Sequence, residues 1–180
     1  PNGILSTRSG DATYEIWMSI DGVQNWSRIF DFGSSLANAG NEILLPGGTG
    51  GGDEYLLLSA MIGTTTTQNR FEFREGGLSI TQDPAVTYTA GAQFHVAIVF
   101  EMDGSANGTP QVRYYKNGLL LASGDTGKLL STIKDNNNWL GRSQYMADAN
   151  TQGSYDETRV YDGAMTADDI AASIAAGPDA

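Results

Sequence analysis

Short segments of alternating or β-branched residues recur along this chain with turn chemistry between them, at 12–20, 27–32, 54–62, 70–74, 78–81, 94–102, 112–123 and 158–161. No helical pattern intervenes between them, so the chain has to bury itself strand against strand, and the expected fold is an antiparallel all-β sandwich. Within 12–20, Tyr14, Ile16, Met18 and Ile20 share one face while Glu15 and Ser19 share the other. That is the period-two pattern of a strand with one buried side. Trp17 interrupts the polar face and predicts that another loop or sheet covers it. The sharpest local signal is Lys116-Asn117-Gly118 between 112–115 and 119–121, because Asn-Gly accepts the positive φ angles of a tight hairpin. Residues 46–53, 103–108 and 135–138, rich in Gly, Asp and Asn, read as solvated turns. One helix is expected, near the C-terminus. Thr166 can cap the amides of Asp168 and Asp169, both acids suit the positive helix start, and Ile170 and Ile174 fall on one face.

A chain of 180 residues is long enough for one hydrophobic core and short for two, so residues 1–180 read as a single domain. With 21 acidic against 10 basic residues and a net charge of -11, its surface repels phosphate backbones and anionic lipid heads and attracts cations. Nucleic acid is thereby excluded as an expected partner. The absence of cysteine removes disulfides, thiolate nucleophiles and thiolate metal ligands. No apolar run reaches membrane-spanning length, so no membrane insertion is expected. Pro1 in place of an initiator methionine suggests a mature chain or a domain tethered to others in a larger protein. The acidic, Gly-, Asn- and Thr-rich composition favours a secreted or cell-surface setting.

Several stretches appear in a recognisable order: Ala12-Thr13-Tyr14-Glu15-Ile16-Trp17, then Trp26-Ser27-Arg28-Ile29-Phe30-Asp31-Phe32-Gly33, then Phe94-His95-Val96-Ala97, then Tyr114-Tyr115-Lys116-Asn117-Gly118. They are followed by Asn138-Trp139-Leu140-Gly141-Arg142-Ser143, by Tyr155-Asp156-Glu157-Thr158-Arg159-Val160-Tyr161, and by Met165-Thr166-Ala167-Asp168-Asp169-Ile170. Together they resemble a laminin-G-like jelly roll of the concanavalin A-like lectin and glucanase superfamily. The resemblance implies a two-sheet antiparallel jelly-roll sandwich with a short C-terminal helix. That superfamily holds both sugar-binding modules and polysaccharide-cleaving enzymes, so fold alone does not choose between them.

Related jelly rolls hold a structural Ca2+ with the aspartate of the closing strand and with oxygens near the first strand and an early turn. By that resemblance Asp156 is the leading ligand, joined by Asp11 if the first and last strands pair, with a carbonyl from Gly10 or Gly33. The alternative is that Asp156 only hydrogen-bonds a loop. Asp31-Phe32-Gly33 spells a kinase magnesium motif, but its companion motifs are absent. Asp31 therefore reads as a turn bond or a minor calcium ligand. The glycine stretch at 47–52 lacks the Lys-Ser/Thr of a phosphate loop.

Glycoside hydrolysis needs two carboxyl groups about 5 Å or 6.5–9.5 Å apart. The glucanases' Glu-x-Asp-x-Glu strand does not occur here, and Glu72 and Glu75 point to opposite faces of a strand. His95, the one histidine, lies in a strongly apolar segment and reads as structural. Sugar binding instead needs flat aromatic faces with directional polar groups beside them. Tyr145 is the preferred contact, with Arg142, Gln144, Trp26 and Asn69 as its expected companions; for Trp26 and Trp139 burial against strands is the competing role. The sequence thus points to a noncatalytic carbohydrate-recognition module of a secreted bacterial enzyme or adhesin. A structural or protein-binding adhesin domain is the alternative, and a glycan-cleaving enzyme the third.

Overall fold

The computed structural model describes residues 2–35 and 51–179. The glycine-rich turn expected at 46–53 lies outside the described residues, apart from its last three. The fold is all-β with one short C-terminal helix, in keeping with a jelly roll, and its strands form two five-stranded sheets. The chain divides into two compact units, each organised by one sheet.

The first unit comprises residues 1–9, 22–87 and 128–152. Its strands are β2 (Arg28–Ser35), β3 (Gly52–Ser59), β4 (Arg70–Glu75), β5 (Leu78–Gln82) and β9 (Asn137–Leu140), in the order β5-β4-β3-β2-β9. Alternation divides this sheet into two different faces. Leu56 and Leu58 on β3 pair with Phe73 and Phe71 on β4 and with Phe32 and Phe30 on β2. All six are buried, and each contributes roughly 1.5–3 kcal/mol by leaving water. The opposite face sets Tyr55 and Leu57 against Arg74 and Glu72. It is polar and aromatic.

Turn chemistry misled the reading in two places. β3 ends at Ser59 rather than running on to residue 62, because Ile62 bridges Thr65 across a tight turn. Residues 135–138 are not a solvated turn: Asp135 is buried and accepts the Leu5 amide at 2.6 Å and the Ser6 amide at 3.3 Å. Asn137, fully buried, opens β9.

The second unit comprises residues 10–21, 88–127 and 153–180. It holds β1 (Ala12–Gly22), β6 (Gln93–Glu101), β7 (Gln111–Lys116), β8 (Leu119–Asp125) and β10 (Gln152–Asp162), in the order β10-β1-β6-β7-β8, with the helix α1 (Ala167–Ala176). Asn117 and Gly118 take φ of 49° and 79°, as the Asn-Gly hairpin requires. Thr166 and Asp169 form a reciprocal capping box at the start of α1. The helix seats Ile170 among Ala97, Val99 and Tyr115. The helix also covers the Glu15 side of β1, since Ser173 on α1 donates to buried Glu15, while the Trp17 ring is covered by the Arg159 guanidinium of β10 at 4.6 Å. The edge strand β10 is much longer than residues 158–161, and its polar, half-exposed composition gave no apolar signal for its first half.

Candidate functional site, a polar pocket on the first sheet

The polar face of β3 and β4 floors a pocket of about 360 Å³ lined by Trp26, Arg28, Tyr55, Leu57, Arg70, Glu72, Arg74, Tyr145 and Asp148. All belong to the first unit. The size suits one or two sugar rings, and the mixture of aromatic faces with a few convergent polar groups is that of a small-ligand site.

Tyr55 is its hub. Its hydroxyl donates to Glu72 Oε1 at 2.7 Å and lies 3.0 Å from the Tyr145 hydroxyl. Burial, then the Tyr145 and Glu72 contacts, hold the Tyr55 phenol far above its ordinary value, so it stays a donor. Its one proton goes to Glu72, which leaves Tyr145 as donor in the Tyr55–Tyr145 bond. The two rings meet edge to face with centroids 6.1 Å apart. Gly52 permits this approach, because a Cβ there would collide with both rings.

The three arginines differ. Arg70 makes a two-pronged ion pair with Asp83, both bonds at 2.8 Å, and its guanidinium lies over the Trp26 ring at 5.1 Å. Arg28 is almost wholly buried, bonded to Asp31, to Asp148 and to the Trp26 carbonyl. Arg74 is hydrogen-bonded to the Tyr55 and Tyr145 phenols, and the Tyr55 contact raises its already high pKa. Among the described residues it forms no ion pair with a carboxylate.

The wall carrying Tyr145 is tied down by a chain of polar contacts. Asp31 Oδ2 accepts the Gln144 amide at 2.9 Å, Asp148 accepts Arg28 and the Ser143 hydroxyl at 2.8 Å each, and the Ser143 hydroxyl accepts the Tyr145 amide at 2.9 Å. Thr151 caps the Arg28 carbonyl. Burial, opposed by Arg28, pushes the Asp31 carboxyl up to about 6. Burial raises Asp148 as well.

Of the expected ligand contacts, Tyr145 and Trp26 line the pocket. The other three are elsewhere. Arg142 stacks on Trp139 at 4.0 Å. Gln144 is fully buried and bonded to Asn137. Asn69 is fully buried, its backbone N–H donating to the Pro84 carbonyl. The residues that sequence reasoning passed over are Arg28, Leu57, Arg70, Glu72, Arg74 and Asp148. Their one visible signal was the alternation Arg70-Phe71-Glu72-Phe73-Arg74, three charged groups on a single strand face.

Asp11 and Asp156, the two acids expected at a calcium site, do not converge. The first and last strands do pair, with the Gly163 amide on the Asp11 carbonyl and Gly153 packed against Ser19 and Ile20. In that register Asp156 stands seven residues (163 minus 156) from the position opposite Asp11, roughly 20 Å along the strand. Asp156 accepts Gln93 Nε2, and Asp11 accepts the Met102 amide. Gly33 lies in β2, packed so closely on β3 that a Cβ would strike the Glu54 carbonyl. No cluster of three or more acidic or histidine side chains fit for a metal occurs among the described residues. Asp11 and Asp156, so separated, do not share one calcium site. His95 is buried and bonded to Glu15 at 2.9 Å, with its ring 4.5 Å from Trp17, a packed residue of the second sheet.

The sequence profile of the concanavalin A-like lectin/glucanases superfamily, in its laminin-G form, matches residues 1–171. The chain belongs to that superfamily. Several solved structures share its fold at low identity. CBM40 of the Ruminococcus gnavus IT-sialidase, bound to α2,3-sialyllactose, aligns with a TM-score of 0.65 at 18% identity, covering 91% of this chain and 82% of that one. Domain 4 of the extracellular GH43 arabinanase AbnA from Geobacillus stearothermophilus, in complex with arabinotriose, gives 0.63 at 17%, covering 96% and 69%. A leech intramolecular trans-sialidase gives 0.64 at 19%, covering 92% of this chain and 23% of that one. No curated protein sequence matches this superfamily member.

Proposed function

We propose that this domain is a noncatalytic carbohydrate-recognition module of a larger secreted or surface protein, and that the pocket on β3 and β4 takes a sugar bearing a carboxylate. The observation that carries the reading is Arg74, a guanidinium lining the pocket whose partners among the described residues are phenols and not acids. In a chain of net charge -11, a pocket cation with no acid partner among the described residues matches an anionic group on the ligand, and a guanidinium grips a carboxylate with two parallel bonds. Tyr145 and Trp26 provide faces for the sugar ring, and Glu72 accepts a ring hydroxyl. The relatives support the class, since one binds sialyllactose and another, from an extracellular enzyme, binds arabinotriose. Catalysis is not part of this reading: Glu72 is held by Tyr55 and Asp148 by Arg28, so neither carboxyl is placed as a free acid.

Titration calorimetry with 3′-sialyllactose, oligogalacturonate, arabinotriose and lactose tests the proposal. A carboxylated sugar should bind and lactose should not. Arg74→Ala should weaken that binding tenfold or more, the size of one charge-assisted contact. Equal binding of lactose and 3′-sialyllactose would sink the anionic preference. Silence toward all four would turn attention to the protein-binding alternative.

A further inference from the structure

Asp31 lies in the middle of β2, wholly buried, where a carboxylate is costly unless something repays its desolvation. Its Oδ2 takes both available bonds, from the Gln144 amide and from Arg28 Nε at 3.3 Å, while its Oδ1 has no partner among the described residues. The cross-strand neighbours on the same face are Leu57 on β3 and Trp139 on β9, and neither can solvate it. A core position would be better served by a valine. What the carboxylate does accomplish is to fasten the segment after β9 to the sheet, at the residue next to Tyr145. It also orients Arg28, which reaches past it to Asp148, to the Trp26 carbonyl and, at 5.7 Å, to the Tyr145 ring. Both aromatic walls of the pocket are thus referenced to one buried ion pair.

We propose that Asp31 is the positioning residue of the pocket, acting through the Gln144 amide and Arg28 to hold Tyr145 at the distance a bound sugar requires. The proposal rests on the sugar-binding reading of this site, and it adds a residue that touches no ligand. Asp31→Asn keeps shape and one acceptor but removes the charge that makes both bonds strong. Charge-assisted bonds are about twice as strong as neutral ones, and the expected loss of affinity for 3′-sialyllactose is about tenfold.

A double-mutant cycle separates this role from general support of the fold, since coupling appears only between residues that act through one another. Affinity for 3′-sialyllactose is measured for the natural chain, Asp31→Asn, Tyr145→Ala and the double variant. The expected result is that Asp31→Asn costs about tenfold alone and less than twofold once Tyr145 is alanine. Equal losses in both backgrounds would overturn the proposal. Amide hydrogen exchange of the ligand-free protein gives an independent readout. In Asp31→Asn the Gln144 and Tyr145 amides should exchange faster while those of Phe71 and Phe73 on β4 stay protected; uniform acceleration, or none, counts against it. If Asp31→Asn does not fold, Ser143→Ala breaks the same chain nearer the surface and should also speed exchange at Tyr145. Should 3′-sialyllactose fail to bind the natural chain, the cycle is run with whichever of the four sugars binds; silence toward all four would sink the sugar reading, and the exchange pattern still decides whether Asp31 holds the wall.

Discussion

Replacing Asp31 by asparagine should change not only the stability of the protein but how that stability depends on pH. Burial raises the folded carboxyl from 3.8 to about 6, against the opposing pull of Arg28. The folded chain therefore binds this proton more tightly than the unfolded chain does. Between pH 4 and 6 the folded state carries more protons at this residue, so its contribution to stability falls as pH rises through that window and stays low above it. A shift of about 2 units at 1.36 kcal/mol each makes the full effect ~3 kcal/mol. Roughly 2–3 kcal/mol of it lies between pH 4 and 7.5. For a domain of this size that is ~5–10 °C in midpoint temperature. The assay is urea unfolding of both proteins at half-unit steps from pH 4 to 8. Other carboxylates titrate in both proteins, so the difference between the two curves isolates Asp31. Asparagine should gain on the natural residue by ~2–3 kcal/mol as pH rises, with half the gain near pH 5 to 6. Parallel curves across the range would show that Asp31 ionises as easily in the fold as in water, and the account of its burial would be wrong.

Two further outcomes follow from buried acids elsewhere. Asp135→Ala removes the acceptor of the buried Leu5 amide and of Ser6 and should cost ~2–4 kcal/mol in urea unfolding, with asparagine restoring about half; a loss below ~0.5 kcal/mol would mean the N-terminal segment contributes little. Glu15 is the opposite case to Asp31: burial acts to raise it, yet the His95 and Ser173 bonds, with smaller help from the His95 charge and Tyr161, outweigh burial and hold it below 4.5. Its stabilisation is present above that value and lost as pH falls below it. Glu15→Gln should therefore flatten the acid limb of the stability profile, and an unchanged limb would refute the net direction.

What the sequence displayed and what it hid follow one physical division. Asn117-Gly118 and the Thr166–Asp169 box are complete within four residues, and their geometry depends on nothing distant; both were legible. The face of β1 was legible for the same reason, and β4 carries the same signal, which was passed over; alternation is a property of one strand. Register is not. Pairing of the first and last strands was the condition for Asp11 to meet Asp156, and it is fulfilled, but a strand can slide along its neighbour, and the observed register leaves the two roughly 20 Å apart. The pocket depends on register still more. Arg74 becomes a pocket-lining cation only because β4 sets it opposite Tyr55, and Tyr55 becomes a hub only because Tyr145, 90 residues on, comes within 3.0 Å. Asp31 shows the limit most sharply. Local chemistry offered a turn or a metal for an aspartate before Phe-Gly, whereas its role is set by Gln144, 113 residues away. A buried charge in mid-strand breaks the pattern that made the strand readable, and in this protein the break lies directly beneath the pocket. Where local pattern and observed burial disagree most strongly in the first sheet, at Asp31 and Arg28, the structure is committing desolvation energy to hold Trp26 and Tyr145 in place.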